Sequence, residues 1–251
     1  MRILLVTHYF PPETGAPQAR LSALARAWAA DGDTETVLTG MPNHPTGVIP
    51  PEYRRAIRRR ELRDGYRVQR TWLYATPNGG VARKTLGDLS FMATCVLLGA
   101  RPSGRADVVV VSSPPFFSIG AAWVLARIKR ARLVMEIRDL WPAIFTELGV
   151  LTNRRIIRAL ERLELAAYAA ADEVVVVSNG FRDNLIGRGA PPAKVHTIRN
   201  ESRWRRSIRA PAPTRPCGST SARRPVTAWC STPGRTGSPM RCPLSPAPPR
   251  G

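Results

Sequence analysis

Cysteine is nearly missing from the first 200 residues of this 251-residue chain. Cys95 stands alone there, and Cys217, Cys230 and Cys242 follow in a Pro-rich stretch with neither metal-ligand nor disulfide-framework spacing. The pattern argues against a disulfide scaffold and for a reducing, cytoplasmic setting. Histidine is scarce as well, at three residues. With no second His or Cys beside His44, no metal site is expected, and nothing calls for a cofactor. Two glycine fingerprints are absent: without GxGxxG an NAD-type oxidoreductase is disfavoured, and without GKS/T there is no P-loop. The most apolar stretch, "LGDLSFMATCVLLGA" (Leu86–Ala100), is shorter than the roughly 20 residues that span a bilayer and contains Asp88, so it lies either on a membrane or against a core. The opening "MRILLVTHYFPPE" lacks a long h-region and a small-residue cleavage site, so no secretory signal is expected.

What the chain does have, up to about Asn200, is an alternation of β-branched runs with helical patterns. This predicts a doubly wound α/β domain with a parallel sheet. Strands are predicted at Ile3–Thr7, Thr34–Thr39, Val68–Leu73, Val108–Ser112, Leu133–Ile137, Val174–Ser178 and Val195–Ile198. "DVVVVSS" and "DEVVVVS" show no alternation, as central strands buried on both faces should. A helix over Ala16–Ala30 presents Leu21, Leu24, Ala25 and Trp28 to the sheet, and one over Asn153–Ala170 presents Ile156, Ile157, Leu160, Leu163 and Ala167.

Three stretches can carry chemistry. In open α/β sheets ligands bind beyond the carboxyl ends of strands, which singles out "HYFPPETGAPQARL": Gly15 before a helix lets backbone amides approach a phosphate, and Arg20 lies one turn on. An ordinary strand-to-helix connection remains the alternative. In "MEIRDLWPAIF", Arg138 and Asp139 stand at the end of a buried strand, either as functional groups or as an ion pair closing a loop. "TGMPNHPTGVIPPEYRRAIRRRELRDG" couples Asn43 and a Pro-rich loop to Arg54, Arg55, Arg58, Arg59, Arg60 and Arg63. Charge runs are often merely solvated. This one has no interleaved aromatics, which favours an anionic membrane surface over nucleic acid as its partner.

In this order, "MRILLVTHYFPPETGAPQARLSALARAWAADG", "VLTGMPNHPTG", "DVVVVSSPPFFSIGAAWVLAR", "EIRDLWPAIFTELGVL" and "ADEVVVVSNGFRDNL" resemble the amino-terminal half of family 4 glycosyltransferases of GT-B fold, particularly bacterial sugar transferases of surface-polysaccharide synthesis. The resemblance spans about residues 1–200 and departs from the family at "TGAP" (Thr14–Pro17), where many relatives have adjacent glycines. It implies two Rossmann-like domains across a cleft: an acceptor-side domain, here residues 1–200, and a donor domain bearing paired glutamates, which is missing. It further implies a retaining, metal-independent transfer of a sugar from a nucleotide-sugar donor to a lipid-linked saccharide acceptor, peripheral at the inner face of the plasma membrane. Gly15 and Arg20 then lie near the donor phosphates or acceptor, and Asn43 contacts the acceptor. Arg138 and Asp139 form the cleft floor, with Asp139 orienting an acceptor hydroxyl. The alternative is a non-catalytic acceptor-binding or membrane-surface protein with a basic tail.

Beyond Asn200 the composition changes. Residues 201–251 hold ten Arg, ten Pro and one Glu, with Ile208, Val226 and Leu244 as their only branched aliphatics. Such a segment cannot bury enough apolar area to offset the entropy of ordering, which predicts disorder. In relatives the interdomain linker usually begins "NGVD". Loss of one base from the Gly codon after Asn200 makes "NESRWRRSIR" compatible with "NGVELEAFHP", and "AWCSTPGRTGSPMRC" with a strand containing "LVLYAGTHGIAHAL". Trp229 and Met240 each have a single codon, and both fit that reading. The expectation is a frameshifted tail, without selected function, on a truncated and inactive transferase.

Overall fold

The computed structural model describes residues 1–77, 80–113, 116–140 and 153–199. The elements run β1 (Arg2–Val6), α1 (Ala16–Ala30), β2 (Thr34–Gly40), β3 (Arg58–Arg63), β4 (Tyr66–Thr71), α2 (Val81–Gly99), β5 (Val108–Ser113) and α3 (Phe117–Lys129). They continue as β6 (Arg132–Ile137), α4 (Arg154–Ala170), β7 (Glu173–Val176), α5 (Asn179–Gly187), a 3₁₀ turn at Pro192–Lys194 and β8 (Val195–Thr197). One eight-stranded sheet has the order β3-β4-β2-β1-β5-β6-β7-β8. Every pairing is parallel except β3 with β4. This is a doubly wound, Rossmann-like α/β fold. The expected tail over 201–251 lies outside the described residues, as do Trp141 and Pro142 of the "RDLWP" stretch.

Alternate side chains of the sheet feed two cores. On one face Leu4, Val6, Leu38, Val109, Val111, Leu133 and Met135 pack with Phe91 and Cys95 of α2, Ile119 and Leu125 of α3, Tyr168 of α4 and Leu185 of α5. On the other, Leu5, Val37, Tyr66 and Val68 meet Phe10 and, from α1, Leu21 and Ala25. The unbroken valines of β5 follow from this two-sided burial, since Val109 and Val111 serve the first core while Val110 packs against the second.

One strand was not expected, and the inward faces of two helices need correction. Within the basic run, Arg58–Arg63 forms the antiparallel edge strand β3, joined to β4 through Asp64 and Gly65. Both turn residues have positive φ, 43° and 87°, as a tight two-residue hairpin demands. Charged side chains suit an edge, where they deter pairing with other chains. The inward stripe of α4 is also rotated from the predicted face. Ile156 and Leu163 are exposed, while Glu164 and Tyr168 are buried. Glu164 escapes the usual penalty because Tyr168 Oη donates to its Oε1 at 2.6 Å and Arg188 pairs with its Oε2. In α1, Leu21 and Ala25 are buried as expected, but Leu24 and Trp28 only partly so.

The apolar stretch in α2 packs against the core through Phe91 and Cys95, which are fully buried, while Leu86 and Leu97 are exposed. Among the described residues no helix is long and apolar enough to cross a membrane.

Among the buried polar groups left without a hydrogen bond in the described residues, one is an acid. Glu35 on β2 is buried with neither carboxylate oxygen hydrogen-bonded among the described residues. Burial first, and the nearby Asp33 charge second, push its carboxyl up to about 7. The folded state therefore holds a proton that the unfolded chain releases near its ordinary value of 4.5, so stability falls as pH rises from about 4.5 to 7. Glu35→Gln should raise Tm at pH 8 by about 2–4 °C per kcal/mol recovered and flatten the pH dependence over that window. A Tm unchanged at pH 8 would contradict this reading.

Candidate functional site

The sheet order reverses at β1, with β2 and β4 to one side and β5 and β6 to the other, which is where open α/β sheets open a crevice at their carboxyl ends. The chain leaves β1 as Thr7-His8-Tyr9. Backbone bonds fix its course: Thr7 N–H donates to Leu38 O at 3.1 Å, and Gly40 N–H and Thr39 Oγ1 donate to His8 O at 3.4 and 3.1 Å. Glu13 then ties two loops together. Its Oε2 accepts from Phe10 N–H at 3.0 Å, and its Oε1 accepts from Asn43 N–H at 2.7 Å and His44 N–H at 2.8 Å. Burial pushes the Glu13 carboxyl up, and these three bonds and the Arg70 charge pull against that.

Arg70 sits beneath, fully buried on β4. Its Nε donates to Glu61 Oε1 at 2.8 Å, its Nη1 to Gly40 O at 3.3 Å and its Nη2 to Pro11 O, while its guanidinium lies 5.5 Å from the Tyr53 ring centroid. One side chain thus braces β3 and the segments that follow β1 and β2.

These loops and the start of α2 enclose a pocket of about 300 Å³, lined by His8, Tyr9, Asn43, His44, Tyr74, Lys84 and Asp88 among others. Two glycines shape its wall. A Cβ on Gly47, whose φ is +71°, would lie 2.2 Å from Thr76 O, and one on Gly87 would lie 2.8 Å from Tyr74 O. His8 is buried against Phe91, with ring centroids 4.7 Å apart, and its Nδ1 is 3.3 Å from Asp88 Oδ1 without hydrogen-bond geometry. Burial, then the charges of Lys84 and His44, lower His8 to about 3, so it is neutral at physiological pH. Burial raises Asp88 to about 6 against the pull of Lys84. Asp88 is therefore the group whose proton affinity lies near neutrality, within the range suited to accepting a hydroxyl hydrogen. Tyr9 is pushed up by burial and by the Asp88 and Glu13 charges, and it keeps its proton.

The expected site residues fall into separate places. Asn43 lines the pocket, with its Nδ2 donating to Met41 O at 3.0 Å. Gly15 caps α1 in extended backbone, where a Cβ would lie 2.4 Å from Oε1 of the buried Gln18. Arg20 pairs with Glu136 of β6, tying the Gly15 loop to the strand that Arg138 and Asp139 immediately follow. Both of these are half-buried. Arg54, Arg55, Arg58 and Arg60 are exposed at the far edge of the sheet, around Arg59, which lies 4.4 Å from the Tyr53 ring centroid and donates to Glu52 O at 2.8 Å. The sequence reading missed His8, Lys84 and Asp88. His8 had a usable signal, a polar residue at the exit of the first strand. Asp88 had none, because its partner lies 80 positions away and its neighbours are apolar.

The model of the glycosyl transferase 4-like domain matches residues 15–201, and the chain belongs to that family. Solved structures of HepE from Anabaena are similar to it at 15% identity: in complex with UDP and glucose (TM-score 0.49, covering 80% of this chain and 45% of that one), with UDP (0.48, 80% and 44%) and with UDP-glucose (0.47, 80% and 44%). The chain spans less than half the length of those proteins. Among curated proteins none matches it.

Proposed function

We propose that residues 1–200 are the acceptor-side domain of a GT-B sugar transferase of cell-surface polysaccharide synthesis, working at the cytoplasmic face of the membrane. In this reading the nucleotide-sugar donor is held by a second domain that the out-of-frame residues 201–251 replace. The observation that carries the reading is the polar pocket at the carboxyl ends of β1 and β2 in a chain of the glycosyl transferase 4-like family. The UDP and UDP-glucose in the HepE complexes are consistent with a nucleotide-sugar as donor. A lipid-linked acceptor is supported by an apolar groove of about 590 Å³ on the other side of α2, walled by Leu89, Met92, Phe117, Trp123 and Leu163.

The roles follow from position. Gly15, at the open amino end of α1, and Arg20 lie where the donor phosphates or the acceptor would approach. Asn43 contacts the acceptor. Asp139, at the exit of β6, orients the attacking hydroxyl, and Arg138 holds an anionic group. Helix termini and guanidinium groups stabilise the departing diphosphate, with no metal required. The test is transfer of labelled sugar from UDP-sugars to membrane lipid by the longer protein read in the alternative frame; no transfer from any nucleotide-sugar would contradict the reading.

A second reading, a non-catalytic membrane-surface protein, is favoured by one observation. Ile57 and Leu62 are 64% and 77% exposed among Arg54, Arg55, Arg58 and Arg60, giving the β3 edge the apolar and cationic groups that an anionic bilayer attracts. Both readings predict membrane contact there. The chain should float with vesicles containing phosphatidylglycerol, and Arg58→Glu with Arg60→Glu should reduce the floated fraction at least about tenfold, at about 1 kcal/mol for each arginine lost and more for reversal. Flotation that survives the charge reversal would remove Arg58 and Arg60 from the contact.

A further inference from the structure

The first turn of α2 presents an electrostatic conflict. Its cap, Gly80, offers no side-chain acceptor and the turn contains no acid, while Arg83 and Lys84 follow within it. Cations at the positive end of a helix dipole are misplaced unless an anion lies between them and the free amides. Neither side chain has a hydrogen bond or ion pair among the described residues, and both line the pocket under Tyr9 and His44.

A second, independent sign points into the same cavity. His8 is 3% exposed, and its Nδ1 has no hydrogen-bond partner among the described residues. Buried polar atoms are rarely left so, and Asp88, the nearest acceptor, is not aligned to satisfy it. The remaining walls are aromatic: the Tyr9 and His44 rings stand 5.2 Å apart, and Tyr74 lies across the backbone that Gly47 and Gly87 allow to approach. Aromatic faces suit the C–H face of a sugar ring, and about 300 Å³ accommodates one monosaccharide.

We propose that this pocket binds a sugar phosphate, with the phosphate oxygens on Arg83, Lys84 and the amino end of α2, and a sugar hydroxyl between His8 and Asp88. The inference rests on the acceptor-side reading and names the acceptor's chemistry, a ring joined to a phosphate or diphosphate. The same chemistry can come from a lipid-linked sugar or from a free sugar phosphate. In the tautomer that protonates Nδ1, neutral His8 donates to the hydroxyl oxygen while Asp88 accepts the hydroxyl hydrogen, so one sugar hydroxyl is read by both. The cations hold the phosphate from exposed positions, not as a buried cage.

The test is calorimetry on the full chain with glucose 1-phosphate, glucose, inorganic phosphate and a short prenyl-phosphate-linked glucose. The proposal expects glucose 1-phosphate to bind at least tenfold tighter than either glucose or phosphate. Arg83→Ala and Lys84→Ala should each weaken it about fivefold or more, and Asp88→Asn should narrow its advantage over inorganic phosphate. Arg83 and Lys84 are exposed, so circular dichroism should find both variants folded. Tighter binding of the prenyl-linked compound points to a lipid source, and equal binding to a free one; either supports the site. Equal affinity for phosphate and glucose 1-phosphate, or an unchanged Arg83→Ala/Lys84→Ala double variant, overturns it. Sugar transfer by the longer protein can succeed while this test fails, so the two readings are separable.

Discussion

Given UDP-sugars and membranes, the purified 251-residue chain should release no UDP above a protein-free control, while the longer protein read in the alternative frame after Asn200 should transfer sugar at ordinary enzymatic rates. The expectation follows from where the transition-state charge resides. Negative charge develops on the departing diphosphate, and without a metal it must be met by oriented amides and cations from both sides of the cleft. In the proposed function the described domain would supply one wall, consisting of the amino end of α1 and the side chains at the exits of β1 and β6. Enzymatic accelerations start at about 10⁶-fold, so removing the wall that holds the donor brings turnover below detection. In the longer protein, Asp139→Asn should lower kcat about 100-fold or more with little change in donor KM, as expected of a group that acts on the acceptor hydroxyl. UDP release by the purified 251-residue chain would refute the proposed division of labour.

Arg70→Met should be the most destabilising single change near the site. Breaking a buried ion pair from one side typically costs about 3–5 kcal/mol, because the partner keeps its desolvation without its counter-charge. Here Glu61 would lose the Arg70 bonds and, among the described residues, retain its contacts with Arg63 and Arg59, and Gly40 O and Pro11 O would lose a donor. Burial raises the Glu61 carboxyl, but the hydrogen bond and charge of Arg70, helped by Arg63, outweigh it and hold Glu61 below its ordinary value. A depressed carboxyl contributes stability above its unfolded pKa and loses it as pH falls through the folded one. The variant should therefore be less acid-sensitive as well as less stable, with Tm lower by about 6–20 °C at pH 7. Pairing it with Glu61→Leu should restore part of the loss. Additive losses in the double variant would show that Arg70 acts through the loop carbonyls and not through Glu61.

Much of the fold was legible because burial on both faces leaves a simple mark. The valine runs of β5 and β7 read as central strands, and helical periodicity located α1 and α4. β3 was not legible, since "RRRELR" resembles a solvated charge run, and only its pairing with β4 makes it a strand. The inward face of α4 was not legible because buried Glu164 carries no apolar signal; its partner Arg188 lies 24 residues away, beyond any local pattern. The pocket was half legible. Asn43 stood out between prolines, but the meeting of His8 with Asp88, and the bonds from Glu13 to Asn43 and His44, are tertiary facts. Motif spacing carries information along one element, and these contacts join elements that only the parallel sheet order brings together.

The proposed function makes residues 1–200 one half of a two-domain transferase, and the most direct test of that proposal is the nucleotide sequence across codons 195–260 and onward, translated in all three frames. The account predicts that a neighbouring frame continues past Asn200 through a second α/β domain containing paired glutamates. Early stop codons in both other frames, on a sequence verified from independent reads, would contradict it and leave the basic tail as a genuine part of a non-catalytic binding protein.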